Sequence, residues 1–295
     1  MSFVRYPHLE KFGNQEVEGI EHGETYVFPK IDGANASVWF RDRLRFGSRN
    51  RELTLDNDNA GFMGASVDDP RYVRFFEQYP RLRLFGEWLV PHTLTGYIDI
   101  AWNKFYVFDV YDDETQQFLN YGTYKVLIDK FAIDYIPCFW RIKDGDLDDF
   151  AFRSKECRYL LKDETPQGEG IVIKNYNWIN KYGRQTWAKL VNAEFKTENM
   201  KVFGPSLSGG QTEEEKIVNF AVTSALVEKE YSKIVMDNGG WSTRYIPRLL
   251  ETVFYCLVTE ELWSTLKKVN FPTVNFKSLR HYTVAKIKEL KPELF

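Results

Sequence analysis

The chain has 295 residues, of which 43% are hydrophobic and 16% aromatic. This composition is typical of globular proteins and excludes an intrinsically disordered chain. Its 39 basic and 42 acidic residues give a formal net charge of −3, which excludes a protein that coats nucleic acid through bulk positive charge. Any contact with nucleic acid would have to come from local basic patches.

We expect no membrane-spanning or secretory segment from the printed sequence. No apolar run approaches the roughly 20 residues that a membrane-spanning helix needs, and the first residues lack the apolar core of a secretory signal. Cys138, Cys157 and Cys256 are scattered and odd in number, which argues against a disulfide framework or a zinc site. We therefore expect a protein of the cytoplasm, either of a cell or of a host, with no membrane partner.

The first two thirds of the chain carry mixed strand and helix patterns. Residues from about 24 to 47 predict two strands, with Lys30 at the mouth of a hairpin between them. Further patterns predict strands at 82–89, 104–111, 170–175 and 186–191, and helical or irregular stretches at 70–79 and 121–131. This mixture favours an α+β domain with an antiparallel sheet core.

The composition changes at residues 204–211, where Gly, Ser and Pro predict a linker. Beyond it, Thr212 followed by Glu215 matches a helix capping box. Apolar residues then recur at helical spacing, with stop and start signals at Gly239 and Pro247. We predict a first domain at 1–203, a linker at 204–211 and a small all-helical domain at 212–295.

A series of charged segments follows Lys30 in a fixed order. Lys30 lies in Lys30-Ile31-Asp32-Gly33, and the later segments are Phe85-Gly86-Glu87, Phe105 to Asp109, Glu169 to Lys174, and Trp187-Ala188-Lys189. Each segment alone has an ordinary explanation, such as an exposed Asp-Gly turn for the first. Their coincidence in one order favours a chemical site.

These residue types suit the transfer of a nucleotidyl group. A lysine amine, whose ordinary pKa in water is about 10.4, becomes nucleophilic when desolvation or nearby cations favour its neutral form. Lys30 is the candidate nucleophile, and Lys174 and Lys189 are candidate phosphate clamps. Phe108 offers an aromatic face for a base. Four carboxylates could recognise hydroxyls or a hard metal ion: Asp32, Glu87, Asp109 and Glu169.

Over residues 25–200, this order resembles the covalent nucleotidyltransferase superfamily of polynucleotide ligases and mRNA capping enzymes. Within it, the chain is most similar to the RNA ligase 2 family of phage and viral end-joining enzymes. The resemblance implies a nucleotidyltransferase core, an ATP-grasp-like ligase fold. It also implies an ATP-dependent RNA ligase that uses Mg²⁺ or Mn²⁺ and joins 3′-hydroxyl and 5′-phosphate ends. The expected partner is RNA or an RNA-containing duplex in nick sealing or RNA repair, and we expect a monomer.

The resemblance also assigns roles to individual residues. Lys30 would form a phosphoamide with AMP, and Lys174 and Lys189 would bind the α-phosphate as catalytic partners. Glu87 would hold the ribose hydroxyls, and Phe108 would stack on adenine. Asn35 would position the phosphates, Arg49 would contact the nucleotide or a nick phosphate, and Glu169 and Asp109 would serve the metal. The implied nucleotide-binding set is Lys30, Asp32, Gly33, Asn35, Arg49, Glu87, Phe108, Glu169, Lys174 and Lys189.

The last motif departs from the family pattern, which usually has two lysines separated by one residue. Here the segment begins Lys189-Leu190-Val191, so Val191 stands where a second lysine is expected if Phe195 keeps its place. Lys181, Arg184 or Lys196 could replace the missing phosphate contact.

Other functions stay open on these residues. One alternative is a DNA ligase or a GTP-using capping guanylyltransferase of the same superfamily. Those enzymes usually carry a β-rich barrel after the core, whereas residues 212–295 have helical patterns. A further alternative is a protein that binds nucleic-acid ends without sealing them, which Val191 makes conceivable.

Overall fold

The computed structural model describes residues 2–91, 94–165, 167–192, 212–268 and 271–295. The chain divides into two compact units, Met1–Asn192 and Ala193–Phe295. The predicted linker, residues 204–211, lies outside the described residues.

The first unit contains two five-stranded sheets. One sheet has the order β1-β10-β9-β2-β8, and its neighbouring strands are antiparallel except for the parallel pair β1 and β10. The other has the order β4-β3-β5-β6-β7 and is antiparallel throughout. The strands are β1 (Glu10–Lys11), β2 (Glu24–Lys30), β3 (Ala34–Phe40), β4 (Leu44–Ser48), β5 (Leu82–Leu89), β6 (Lys104–Asp112), β7 (Gln117–Phe118), β8 (Trp140–Lys143), β9 (Gly170–Lys174) and β10 (Ala188–Val191).

Among the residues described in this unit, four α-helices accompany the sheets: α1 (Phe62–Ser66), α2 (Pro70–Gln78), α3 (Tyr121–Lys130) and α4 (Leu147–Glu156). Local sequence determines where they start. Asp69 caps α2 by accepting a hydrogen bond from the Arg71 amide, and Asn120 caps α3 in the same way. The strands and helices predicted at 70–79, 82–89, 104–111, 121–131, 170–175 and 186–191 are therefore confirmed, within a residue or two at their ends.

The predicted hairpin around Lys30 is wrong. β2 pairs with β8 and β9, whereas β3 pairs with β4 and β5 in the other sheet. The chain crosses between the sheets at residues 31–33, and an added Cβ on Gly33 would lie 2.5 Å from the Trp88 carbonyl oxygen. Alternating residues predict a strand but do not identify its partner, so the sequence could not reveal this crossing. Lys30 therefore lies where the chain leaves one sheet and passes to the other.

The regular elements described in the second unit are helical, which confirms the prediction for this part of the chain. Its α-helices are α5 (Glu213–Ala221), α6 (Ser224–Asn238), α7 (Ile246–Cys256), α8 (Leu262–Lys268) and α9 (Phe276–Leu290), and a π-helical turn at Leu257–Glu261 joins α7 to α8. Thr212 caps α5, and Gly239 ends α6 with a φ of 68°. No helix among the residues described in either unit is long and apolar enough to cross a membrane.

Candidate active site

Lys30 and Glu169 meet although 139 positions separate them in the sequence. Lys30 ends β2 and lies opposite Gly170, the first residue of β9. Its Nζ donates a hydrogen bond to Glu169 Oε2 at 2.7 Å. The Lys30 side chain is 19% exposed and that of Glu169 is 8% exposed. The amine is therefore oriented by a carboxylate yet remains accessible to a ligand.

A pocket opens beside this amine, with about 400 Å³ of empty space when its open mouth is included. Residues from both sheets and from the amino-terminal segment line it: Tyr6, Leu9, Phe28, Pro29, Lys30, Ile31, Glu87, Phe108, Ile136, Val172 and Lys174. The fold thus brings together four of the predicted site residues, Lys30, Glu87, Phe108 and Lys174.

Glu87 contributes a carboxyl group to the pocket wall from β5. Its Oε1 accepts a hydrogen bond from the Gly33 amide at 3.1 Å, which ties β5 to the crossing after Lys30. Burial raises the pKa of Glu87 to about 7, and the nearby Lys30 charge opposes this increase. Near neutral pH, this group can therefore exchange between a hydrogen-bond acceptor and a donor.

A β-bulge directs Phe108 into the pocket. In the pairing of β5 with β6, Phe85 lies opposite Asp109 and Gly86 lies opposite Val107, so Phe108 has no partner in the ladder. Such an extra residue bends its strand and re-aims a side chain. The Tyr6 ring packs against Phe108 with a centroid distance of 4.8 Å.

Asp109 and Lys174 form a buried ion pair behind Phe108. Lys174 Nζ lies 2.7 Å from Asp109 Oδ1, and the two side chains are 2% and 0% exposed. Asp109 Oδ2 accepts hydrogen bonds from the Tyr6 hydroxyl at 2.6 Å and from Trp187 Nε1 at 3.1 Å. Burial lowers the pKa of Lys174, and the Asp109 charge opposes this decrease. These contacts favour a structural role for Asp109 over the metal coordination expected from the sequence.

Lys189 and Val191 lie on the face of the sheet that carries Lys30. Lys189 is opposite Val172, and Val191 is opposite Gly170, which is in turn opposite Lys30. Directly paired residues share a face of a sheet. Val191 therefore places an apolar side chain in the row of Lys30, where the family pattern would place a cation.

Arg184 and Lys181, two of the residues suggested as replacements for that cation, contact other side chains. Arg184 Nη2 lies 3.3 Å from Glu16 Oε2 in an exposed ion pair. Lys181 Nζ lies 5.5 Å from the Tyr182 ring centroid. Lys196 is outside the described residues.

Asp32 and Asn35 flank the crossing after Lys30. Asp32 is buried, and its Oδ2 accepts a hydrogen bond from the Leu94 amide at 2.7 Å. Its backbone amide donates to the Tyr97 hydroxyl at 2.8 Å. Asn35 lies opposite Glu87, so both side chains project from one face of the sheet.

Arg49 lies in the turn that follows β4. Its Nη2 is 3.1 Å from His8 Nδ1, a contact at the surface of the first unit. The structure therefore pairs Arg49 with the amino-terminal segment, and Arg49 is not among the residues that line the pocket.

Comparison with known proteins identifies the family. A family model described as RNA ligase matches residues 23–191, which carry most of the pocket. The chain belongs to the RNA ligase family. No curated protein sequence matches it significantly.

Solved structures of the RNA ligase from Naegleria gruberi share the fold of this RNA ligase family member. A variant solved with ATP and Mn superposes with a TM-score of 0.54 at 18% identity, covering 68% of this chain and 59% of that one. A variant with AMP and Mn gives a TM-score of 0.53 at 19% identity, covering 66% and 58%. This chain thus spans less than two thirds of those proteins. The likeness confirms the predicted α+β RNA ligase fold.

Sequence reasoning missed Tyr6 and Leu9, which line the pocket of this family member. They precede β1, whose parallel pairing with β10 anchors the amino-terminal segment. β1 has only two residues, which is too short for an alternating pattern to predict a strand there. The aromatic Tyr6 close to the start of the chain was the one available signal.

A metal ion would depend on the donor atoms present at the site. Among the described residues, no group of three His, Cys, Asp or Glu side chains could hold a metal ion. Magnesium, however, is usually bound by one or two carboxylates together with substrate phosphates and water. Glu169, beside Lys30, fits that mode of binding, since the remaining ligands would arrive with the nucleotide.

Proposed function

We propose that this protein is an ATP-dependent RNA ligase that joins 3′-hydroxyl and 5′-phosphate ends through a lysyl-AMP intermediate at Lys30. The observation that carries the proposal is the 2.7 Å contact between Lys30 Nζ and Glu169 at the mouth of a pocket that contains Phe108 and Glu87. Membership of the RNA ligase family supports it. So do the related Naegleria structures, which were solved with ATP or AMP and Mn.

In the first step, the neutral Lys30 amine attacks the α-phosphate of ATP. A nitrogen–phosphorus bond forms, and the bond between the α-phosphate and the leaving pyrophosphate breaks. The amine must lose a proton, and Glu169 Oε2 is the acceptor that faces it. Phe108 stacks on the base and Glu87 holds the ribose, so the phosphate is presented to the amine in a fixed orientation.

In the second step, a 5′-phosphate oxygen of the RNA displaces the Lys30 amine from AMP and forms an adenylylated end. In the third, a 3′-hydroxyl attacks that end, a phosphodiester forms and AMP leaves. Mg²⁺ or Mn²⁺ held by Glu169 and the phosphates would neutralise negative charge on the reacting phosphate. Lys189, on the same sheet face as Lys30, supplies a protein cation for the phosphate.

Incubation with ATP labelled on its α-phosphate tests the first step. Wild type should acquire label that survives denaturing gel electrophoresis, and Lys30→Ala should acquire none. Lys125→Ala is the matched control, because Lys125 is a partly exposed lysine of α3 paired with Asp129. Label on Lys30→Ala at the wild-type level would disprove the assignment of the nucleophile.

A substrate panel tests the finer assignment. Labelled ATP and GTP, followed by nicked RNA, nicked DNA and RNA–DNA hybrids, should give transfer from ATP and joining of ends that contain RNA. Transfer from GTP would indicate a capping enzyme, and joining confined to DNA would indicate a DNA ligase. Binding of nicked duplex without any label on the protein would favour the non-sealing alternative, to which Val191 lends weight.

A further inference from the structure

We propose that Lys174 is a positioning residue for the nucleotide base, which it serves by fixing Phe108, and that it does not bind the α-phosphate. This inference rests on the proposed function, because it concerns the same pocket. It reverses the role that the family resemblance implies for Lys174.

The donors of Lys174 are directed at the bulge in β6. Its Nζ donates to the Phe108 carbonyl oxygen at 2.6 Å and to Asp109 Oδ1 at 2.7 Å. An ammonium group has three donors, so two of them are used on these two adjacent residues. The Phe28 ring lies over the same amine, with its centroid 4.6 Å away. This charge is therefore enclosed by protein and engaged with the strand that carries Phe108.

Phe108 depends on such support because the bulge leaves it outside the ladder between β5 and β6. Its carbonyl oxygen accepts hydrogen bonds from Lys174 Nζ and from the Tyr124 hydroxyl, the latter at 3.1 Å. These donors replace the strand contact that Phe108 lacks. They hold the backbone at the residue whose ring faces the pocket.

Asp109 completes this support on the other side of the bulge. Its two oxygens receive Lys174, the Tyr6 hydroxyl and Trp187 Nε1. Tyr6 also packs on the Phe108 ring. The cluster is fixed by several elements, so moving Lys174 toward a phosphate would break a buried ion pair, which is costly.

Lys189 is the alternative cation for the phosphate. It lies in β10 opposite Val172, on the face of the sheet that carries Lys30. Lys174 lies on this face too, but farther along β9 from the Lys30–Gly170 pair than the Val172–Lys189 pair is. We therefore assign Lys174 to the base end of the pocket and Lys189 to the phosphate end. The two roles predict opposite effects on two simple probes.

The probes are adenosine, which has a base and no phosphate, and inorganic tripolyphosphate, which has phosphates and no base. Binding of each is measured by competition with labelled ATP on the full chain carrying Lys30→Ala, which prevents covalent transfer. In that background, Lys174→Met should weaken adenosine binding about tenfold, the scale of one base stacked on an aromatic ring. Its binding of tripolyphosphate should be unchanged. Lys189→Met should give the reverse pattern.

Two further variants guard against a general loss of structure. Lys174→Met combined with Asp109→Asn removes both charges together, so no unpaired carboxylate remains buried. Tyr124→Phe removes one donor to the Phe108 carbonyl and leaves the ion pair intact. Tyr124→Phe should also weaken adenosine binding, by a smaller factor than Lys174→Met. If the Lys174 variants do not fold, Tyr124→Phe alone tests whether support of the Phe108 backbone controls base binding.

Weakening of tripolyphosphate by Lys174→Met as large as that of adenosine would overturn the inference while leaving the proposed function intact. Adenosine binding by Tyr124→Phe as tight as that of its parent would also overturn the inference and leave the proposed function intact. Absence of ATP binding to the parent protein would overturn both the inference and the proposed function. Loss of adenosine binding alone would support the positioning role.

Discussion

The chemistry of Glu87 depends strongly on its surroundings. A carboxyl in water has a much lower pKa, but burial at the pocket wall raises that of Glu87 to about 7. The folded chain therefore keeps a proton on Glu87 at pH values where the unfolded chain has lost it. This buried carboxyl stabilises the folded chain fully at pH values below the pKa that Glu87 has in the unfolded chain. The stabilisation is lost as the pH rises through the pKa that Glu87 has in the folded chain.

Glu87→Gln should remove this dependence, because the amide carries no titrating proton. The free energy of unfolding of the variant, relative to wild type, should increase as the pH rises from about 5 to about 8. Urea unfolding at several pH values measures the difference. Glu77→Gln, at an exposed position of α2, should show no such trend. A constant difference between Glu87→Gln and wild type would mean that Glu87 does not titrate in this range.

The types of the site residues could be predicted from the sequence better than their contacts. Lys30, Glu87 and Phe108 were expected to share a site, and they line one pocket. The pairing of Lys174 with Asp109 was not expected, because it depends on which strands are neighbours and on the bulge at Phe108. A bulge shifts register by one residue, and no local pattern in β6 records it.

Helix boundaries in the second unit were predicted in part. Helix boundaries marked by caps were predicted well, as at Thr212 and Gly239. The cap at Thr212, the apolar spacing after it and the stop signal at Gly239 together suggested one helix, but the structure breaks it at 222–223, where Thr223 caps α6 by accepting a hydrogen bond from the Leu226 amide. Apolar periodicity persists across this break, so it could not reveal the interruption.

Gly170 lies opposite Lys30, at a position where β9 and β10 are closely packed. Its φ is +152°, and an added Cβ would lie 2.2 Å from the Leu190 carbonyl oxygen and 2.9 Å from Val191 Cα. A methyl group there would push β10 away from β9. This displacement would also move Lys189, which follows from its place in β10.

Gly170→Ala should therefore reduce both stability and nucleotidyl transfer. Overpacking of this kind typically costs about 1–3 kcal/mol of unfolding free energy. Urea unfolding and labelling with ATP measure the two effects. Gly122→Ala is the control, because its added Cβ would only approach Asn120 Oδ1 at 3.5 Å on helix α3. Equal stability and labelling of the two variants would contradict the close packing of β9 and β10.

The two units each contain a hydrophobic cluster of their own. Buried residues from Val17 to Ala188 form one cluster in the first unit, and buried residues from Ile217 to Leu294 form another in the second. A region with its own core can in principle fold alone. The residues that line the pocket all belong to the first unit. Nucleotide capture should therefore require that unit only.

A chain ending at residue 203, the predicted domain boundary, should fold cooperatively and acquire label from ATP at a rate comparable to that of the full chain. The reason is that Lys30, Glu169, Glu87 and Phe108 keep all their described contacts within Met1–Asn192. Labelling of the shortened and full chains, each with and without Lys30→Ala, measures this. If the shortened chain unfolds cooperatively but takes no label, part of the adenylylation site must come from the second unit, and the pocket of the first unit would be incomplete.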